Sequence, residues 1–532
     1  AHNRLLPAKW QLALLGGKGV ISGRMELALD TINIALDLGS DRADLRWRND
    51  RVTTDLLLQL RAAIKGGIYH GQVGLDLTGT RLQMNNTQVA AARAATIAPK
   101  QSPQPTPSVW QGDLRVERAA LRVPARTTAK DPSPIRAVAK ALADQGFGAL
   151  LSQADGQIAA TLTVSQLDWI AALLNRPLGL NLTGVAEIDA DIRLADGWPT
   201  KGTHFKVPPT RLGLALLEHR VEGRGQASLI LEHGGSYPRL RLDVGLADAQ
   251  MRRQDERQPG LSDVRLDASV TVTDPLGKQG GVAEATLKLH SARVHDMAAY
   301  NAYLPANVPL SLVGGEASLV GDLQLGSKRA EGTFLLIADG VRLALDQTEL
   351  SGDLRLDVLV RDGSPADMQF DITGTRLALE RVRVKGPVAA TAAPDWHLRL
   401  QLEETQVRWH KPMHLTTTAS VSIKDTRPFV ALMDNTRDQH PWIDNLLTVE
   451  DLGGHLRLSI DGREAVLQDA MVSSARMGVH AKGRASSAGR EAMLLVRWHD
   501  LVGALELQGA QKHFDIVDAR AKFDAYRPGA AE

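Results

Sequence analysis

The stretch VRLDASVTV, residues 264–272, decides the fold class, because apolar and polar residues alternate through it without a break. Strict alternation with a period of two predicts a β-strand that has one apolar face. The same alternation returns at residues 240–246, 354–360 and 398–402. The chain is therefore predicted to be mainly β from one end to the other.

The composition narrows the partners that this protein can have. Its 62 basic and 61 acidic residues nearly cancel, so no field that attracts nucleic acid is expected. Aromatic residues make up only 4% of the chain, which predicts an aliphatic surface. The absence of cysteine excludes disulfides and thiolate metal sites. No run approaches the roughly 20 apolar residues that span a bilayer.

Three short stretches with helical character divide the chain into repeats. They are residues 165–175, 296–305 and 427–435, and each leads into another alternating strand. The strands that follow are matched at Leu182, Leu312 and Val449, which lie 130 and 137 residues apart by subtraction of 182 from 312 and of 312 from 449. An internal repeat of about 130 residues is indicated.

This repeat predicts five segments along the chain. They are an N-terminal β-sheet part at 1–125 that contains an Ala/Pro-rich loop at 91–109, a helix and return strand at 126–164, and three β-repeats at 165–295, 296–426 and 427–532. Within the second of these segments, residues 134–153 are expected to form a helix.

Gly, Asp, Asn and Pro separate the strands, as expected of an antiparallel meander. Asp362-Gly363, Asp461-Gly462 and Gly234-Gly235 are predicted to be tight hairpin turns. The cluster at residues 16–19 is predicted to be a turn before a strand at Val20. The sequence TGTRL occurs twice, at 78–82 and 373–377, in the same phase of the alternation.

No enzyme signature is present in the sequence. It contains no nucleophile elbow, no HExxH zinc motif, no phosphate loop and no dinucleotide fingerprint. Glu187, Asp189 and Asp191 place three carboxylates on one strand face, but calcium needs ligands that converge from a loop, so a solvated outer face is favoured. We predict a protein that is not an enzyme, with no catalytic residue, no metal and no cofactor.

Two architectures fit many half-apolar strands, and periodicity alone does not distinguish them. In tandem β-sandwiches the apolar faces of two sheets meet. In an open groove the apolar face lines a channel. Each demands one buried face per strand.

A family resemblance favours the groove. Leu-rich alternating strands, a short helix entered from a strand (TLKLHSARVHDMAAYNAYLP, residues 286–305) and a following L-x-L-x-G segment (residues 310–314) resemble the AsmA-like and TamB-like proteins of the Gram-negative envelope. The resemblance covers most of residues 160–525, and 20–125 more loosely. It implies a bridge-like lipid-transfer protein, with an elongated antiparallel repeat sheet folded into a taco-like groove that has an apolar interior and few short helices.

The resemblance also implies a place and a cargo. The protein is expected in the periplasm, either free or tethered to the inner membrane by an N-terminal segment that this chain lacks, and with inner- and outer-membrane proteins at its two ends. Its cargo is expected to be phospholipid or another acyl lipid, because each methylene that leaves water contributes about 0.8 kcal/mol.

On this interpretation the groove is lined by inward-facing aliphatic residues of several strands. The predicted lining is Leu180, Leu182, Ile188, Ile192, Leu194, Leu354, Leu356, Val358, Val360, Phe370, Ile372, Leu398, Leu400, Leu402, Leu456, Leu458 and Ile460. The charged residues between them are expected to face water.

Two other functions remain open at this point. The protein could be an envelope scaffold or assembly factor for outer-membrane proteins, which would use exposed sheet edges for strand addition. It could also be an extracellular adhesin or stalk built from β-repeats. The first of these is the main alternative to lipid transfer.

Overall fold

The structure is a computed structural model, and strands make up 82% of it. They form a large open antiparallel sheet that does not close on itself, and helices are few in the described part. The mainly β prediction is therefore confirmed. The structure describes residues 12–28, 31–47, 50–65, 72–76, 81–86, 110–124, 155–167, 181–216, 219–234, 238–253, 260–274, 281–303, 310–326, 329–345, 348–364, 367–385, 396–409, 413–425, 449–461, 464–486, 489–508 and 511–528.

The chain divides into two compact units. The first consists of Ala1–Ala247 with Ala268–Ala285, and the second of Asp248–Asp267 with Thr286–Glu532. The strands that lie wholly in the first unit are β1 (Leu12–Ala28), β2 (Thr31–Trp47), β3 (Asp50–Lys65), β4 (Gln72–Asp76), β5 (Arg81–Asn86), β6 (Trp110–Pro124), β7 (Asp155–Val164), β8 (Asn181–Thr183), β9 (Ala186–Ala195), β10 (Trp198–Pro199), β11 (His204–Leu216) and β12 (His219–His233).

Three strands are divided between the two units: β13 (Arg239–Arg253), β14 (Leu261–Thr273) and β15 (Gly281–Val294). Those of the second unit are β16 (Leu310–Gly326), β17 (Ala330–Leu345), β18 (Thr348–Val360), β19 (Asp362–Ser364), β20 (Gln369–Asp371), β21 (Arg376–Lys385), β22 (Leu398–Arg408), β23 (His414–Asp425), β24 (Glu450–Asp461), β25 (Glu464–Ser473), β26 (Met477–Ser486), β27 (Gly489–Trp498), β28 (Leu501–Gln508) and β29 (Gln511–Asp515).

Two short helices accompany the strands of the second unit. A 3-10 helix, Met297–Tyr303, lies inside the predicted helical stretch 296–305 and confirms a helix there. The Asn301 side chain holds it to β16, since its amide donates to the Leu312 carbonyl and accepts from the Leu312 N–H, both at 2.7 Å. The other is the α-helix α1, Ala519–Ala525, near the C-terminal end of the described chain.

Several predicted elements lie outside the described residues. They are the stretch 427–435, the loop 91–109, the helix 134–153 and all but the first three residues of 165–175.

In the first unit, antiparallel pairing runs from β1 through β2 to β3, and from β6 through β7 and β9 to β11 and β12. Val116, Ala160 and Ala190 lie opposite one another on β6, β7 and β9. They are at most 7% exposed and form a buried cluster, against which Ile158 and Phe205 pack. The core here is thus a cross-strand row of small and branched aliphatic residues.

The second unit carries an uninterrupted ladder of twelve strands. It runs from β16 through β17, β18, β21, β22 and β23 to β24, and then in chain order to β29. A single open sheet, and not tandem sandwiches, therefore forms this unit. The antiparallel connectivity predicted from the turn residues is confirmed along it.

Residues 264–272 are buried and exposed in turn, as their alternation predicts. On β14 each of the apolar residues from Val264 to Val272 is at most 6% exposed. Arg265 and Asp267 between them are exposed.

The second copy of the TGTRL sequence lies between two short strands with a common partner. Residues 373–377 span the break between β20 and β21, and both strands pair with β22. Gly374 has φ +94°, a backbone conformation that a residue with a β-carbon rarely adopts. The second copy therefore interrupts a strand without changing its partner. Residues 78–80 of the first copy lie outside the described residues, and β4 and β5 on either side of them both pair with β6.

Two of the predicted turns are wrong. Residues 16–19 lie inside β1, which continues past them with register shifts between Leu14 and Lys18. Between Leu14 and Gly16 β1 has one residue more than β2, and between Gly16 and Lys18 it has one fewer, so the pairing is irregular here but does not end. Asp362-Gly363 belongs to β19, where Gly363 pairs with Phe370.

At the predicted Asp461-Gly462 turn, Asp461 pairs with Glu464, as a tight hairpin requires. Gly235 of the predicted Gly234-Gly235 turn and Gly462 lie outside the described residues. An Asp-Gly turn is formed by Asp196 and Gly197, which join β9 to β10.

Register shifts lie side by side across four neighbouring strands of the second unit. They occur at Gly314 between β16 and β17, between Ala338 and Val341 of β17, and opposite Ser351 and Asp353 of β18, where the extra residue belongs to β21. A bulge bends its strand and increases the local twist.

Candidate functional site

The second unit presents a continuous row of aliphatic side chains across its sheet. Directly paired residues form this row, one from each of six strands. We call it the central row; its members are Leu319, Leu336, Leu356, Leu377, Leu400 and Val421. With strands about 4.8 Å apart the row is about 24 Å long, whereas one leaflet of a bilayer has a hydrocarbon depth of about 15 Å. An acyl chain therefore fits along it.

The central row is open and not sealed. Leu319, Leu336, Leu356, Leu377 and Leu400 are all half-buried, and only Val421 is buried, at 7% exposure. A leucine inside a close-packed core keeps almost none of its surface. Part of each leucine in the row is therefore available to another molecule.

Most of the predicted lining of the second unit lies on the face of the central row. Leu354 pairs with Leu379, and Leu379 pairs with Leu398. Val358 pairs with Phe334, and Leu402 with Ala419. All of the predicted residues from Leu354 to Ile460 are half-buried except Val360, which is 7% exposed.

The later strands continue the same face. Ala419, Thr417 and Leu415 of β23 lie opposite Leu456, Leu458 and Ile460 of β24 in that order. Phe370 joins this part of the face through Val407, which pairs with Phe370 on one side and Leu415 on the other. Ile372 lies beside it and donates its N–H to the Thr405 carbonyl at 3.1 Å.

In the first unit the predicted lining is less accessible. Leu182 is 1% exposed and pairs with Leu214, also 1% exposed; Ile188 is 2% exposed and pairs with Leu162. These two side chains are covered by protein and not open to a ligand. Ile192 and Leu194, nearer the end of β9, are half-buried, and Leu180 lies outside the described residues.

The opposite face of the second unit carries charges, as predicted. Arg399 Nη2 lies 2.7 Å from Glu380 Oε1 on the neighbouring strand. Arg355 Nε lies 2.9 Å from Asp357 Oδ2. The guanidinium groups are more than half exposed, so these pairs contribute little stability. The same face also carries the exposed aliphatic residues Val320 and Ile337.

The three carboxylates of β9 are also on a solvated face. Glu187 and Asp189 are exposed, and Asp191 accepts a hydrogen bond of 2.6 Å from Gln157 Nε2. In the part of the chain that the structure describes, no three His, Asp or Glu residues are arranged to hold a metal ion.

One polar pair interrupts the apolar face. Thr405 and Thr417 lie opposite each other on β22 and β23, and are 2% and 3% exposed. Their hydroxyl oxygens are 2.7 Å apart, and the Thr417 hydroxyl donates to the Thr418 carbonyl at 3.2 Å. Because the hydroxyls satisfy each other, they are not free for a ligand, and the surface over them stays apolar.

Sequence reasoning missed a set of phenylalanine–glycine contacts. Phe334 lies against Gly321, directly opposite it in the sheet. A β-carbon on Gly363 would lie 2.5 Å from the Phe370 ring, and one on Gly503 would lie 2.6 Å from Phe514. An aromatic ring that covers a cross-strand glycine stabilises the strand pair. A glycine at an apolar phase of an alternating strand is the sequence signal that would have pointed to them.

Comparison with known proteins adds no relative. No protein-family model and no curated protein sequence matches the chain. Among the described residues no helix has both the length and the hydropathy to cross a membrane.

Proposed function

We propose that this protein is a non-enzymatic lipid-binding or lipid-transfer protein of the Gram-negative envelope, which carries phospholipid acyl chains along the apolar face of its sheet. It would act in the periplasm, between the inner and outer membranes. The observation that carries the proposal is the central row, in which five consecutive cross-strand leucines are only half-buried.

The chemistry of the face matches an acyl chain. Apart from the self-paired threonines Thr405 and Thr417, and from Asp425 and Glu450 where β23 ends and β24 begins, the cross-strand partners on this face are aliphatic, aromatic or glycine. Hydrocarbon makes no directional bonds, so a smooth aliphatic surface binds it through area alone. A sugar or peptide ligand would instead need hydrogen-bonding groups along the face.

Capture of lipid in cells tests the proposal. A photoreactive residue at Leu356 should capture phospholipid, whereas one at Arg355, the exposed neighbour on the opposite face, should not. Ile188, only 2% exposed, is a second position where no capture is expected. Native mass spectrometry of the purified protein should show bound phospholipid.

A substitution complements the capture experiment. Leu356→Glu should remove bound lipid, because a carboxylate on the face destabilises an acyl chain beside it. Arg355→Glu is the matched control and should retain lipid. Absence of lipid both at Leu356 and in the native mass spectrum of the wild-type protein would overturn the proposal. Capture of unfolded outer-membrane proteins in its place would favour the assembly-factor alternative.

A further inference from the structure

The most exposed apolar side chains of the second unit gather near its C-terminal end. Leu501 begins β28 and is 61% exposed, and Phe514 on β29 is 57% exposed. Ile516 and Val517 follow β29 directly and are 65% and 68% exposed. We call these four residues the apolar tip. They make up a third of the twelve large apolar side chains that are exposed among the described residues.

The apolar tip continues the apolar face of the sheet. Leu494 of β27 pairs with Leu505 of β28, and Leu505 pairs with Phe514. Leu494 and Leu505 are half-buried, so exposure rises toward the last strand. A hydrocarbon chain on the face would meet Phe514 as it reached this end.

The segment that carries the tip is held firmly in place. Ala519 and Phe523 of α1 are buried against Met493 and Ala504, on the face of the sheet opposite to Leu505. Lys482 Nζ donates to the Phe523 carbonyl at 3.2 Å and lies 4.5 Å from the centre of its ring. The exposed side chains therefore project from a packed element.

The edge strand is poorly suited to adding a strand from another protein. β29 is five residues long and, among the described strands, pairs only with β28. It includes Lys512 and Asp515, and the Asp515 carboxylate accepts from the Val517 N–H at 2.8 Å and contacts Lys522. Short edge strands with charged residues resist strand addition. This observation favours a non-protein partner.

The charges around the tip nearly cancel. Residues 511–527 contain four cations, which are Lys512, Arg520, Lys522 and Arg527, and three anions, which are Asp515, Asp518 and Asp524. A partner recognised here would be bound by apolar insertion and not by a net charge.

We propose that the apolar tip inserts into the surface of a zwitterionic lipid bilayer and joins the apolar face of the sheet to the membrane interior. This inference rests on the proposed lipid-carrying function and adds the site of membrane contact. Leu501, Phe514, Ile516 and Val517 would enter the headgroup and acyl boundary, as the apolar side of an interfacial element does.

Labelling at single positions tests this contact. The chain has no cysteine, so Val517→Cys carries one environment-sensitive fluorophore at a defined position. With phosphatidylcholine vesicles, the emission of this label should shift to the blue. The same label at Val185→Cys, a position 63% exposed in the first unit, should not respond. The shift at 517 should persist from about 0.05 M to about 0.5 M salt, because apolar insertion is not screened.

A binding measurement completes the test. The double variant Phe514→Ser with Ile516→Ser should lose vesicle binding at least about tenfold in cosedimentation, whereas Val185→Ser should bind as the wild type does. No shift at 517, equal binding by the double variant, or binding abolished by salt would each overturn the inference. If vesicle contact fails while the wild-type protein still carries lipid in native mass spectra, only the tip inference is wrong. If no lipid is carried, the proposed function itself fails.

Discussion

Asp353 stabilises the bulge of the neighbouring strand. Its Oδ1 accepts a hydrogen bond of 2.9 Å from the backbone N–H of Gly340. Gly340 has φ +67° and lies in the bulge of β17. On the other side, Arg381 of β21, whose own φ is +52°, donates to the second carboxylate oxygen of Asp353. One carboxylate therefore contacts both neighbouring strands of β18 where their pairing register shifts.

Asp353→Asn should destabilise the second unit. The amide loses the charge that strengthens both contacts, so we expect a loss of about 1 kcal/mol in the free energy of unfolding. Urea denaturation of the full chain measures it. Asp357→Asn, on the same strand and face, removes only an exposed ion pair with Arg355 and should cost less than about 0.5 kcal/mol. Equal losses in the two variants would contradict a special role for Asp353.

The same carboxylate should make stability depend on acidity. The Gly340 N–H, and to a lesser degree Arg381, hold the pKa of Asp353 below its ordinary value of 3.8, although burial opposes them. Since the folded pKa lies below the unfolded one, the stabilisation is complete above the unfolded pKa and is lost as pH falls through the folded pKa. Urea midpoints of the wild type should therefore approach those of Asp353→Asn as the pH is lowered below 3.8. A gap between the two proteins that stayed constant below that pH would argue against this.

Gly454 should tolerate no side chain. It lies opposite Val421 and Val472 in the sheet, and a β-carbon on it would clash with the Met471 carbonyl oxygen and lie 2.7 Å from Val472 Cα. Gly454→Ala should cost about 1–3 kcal/mol of stability. The adjacent Gly453→Ala has nothing within 4 Å of its new β-carbon and should be neutral. Thermal unfolding of the two variants measures this difference. An unchanged melting temperature for Gly454→Ala would refute the close approach of β25 to Gly454.

Ionisation of Tyr526, the residue that follows α1, should lower the stability of the protein at alkaline pH. Burial, followed by the charges of Glu491 and Glu506, raises the pKa of Tyr526 to about 12. Because the folded pKa is raised, stability is unaffected below the unfolded pKa of about 10 and is lost as pH rises from there toward 12. Its hydroxyl has no hydrogen-bond partner among the described residues, so Tyr526→Phe should be as stable as the wild type at pH 7 and lose less stability at about pH 11. Identical alkaline profiles for the two proteins would contradict this coupling.

The alternation of apolar and polar residues was enough to predict which residues share a face. Leu354, Leu356, Leu398 and Leu400 are joined on one face by Leu377 and Leu379. This prediction succeeds because side chains alternate across any strand, whatever surrounds it. The turns at residues 16–19 and at Asp362-Gly363 could not be predicted correctly, because a glycine permits a bulge and a turn equally, and the partner strand decides between them.

Fold class, antiparallel connectivity and the membership of the apolar face follow from the order of residues alone, because they depend on residues close together in the chain. How open that face is depends on the packing of the folded chain. Ile188 and Leu356 occupy the same kind of alternating position, yet Ile188 is 2% exposed and Leu356 is half-buried. The exposure of each side chain depends on which distant segments pack over it. The periodicity of the sequence does not predict those contacts.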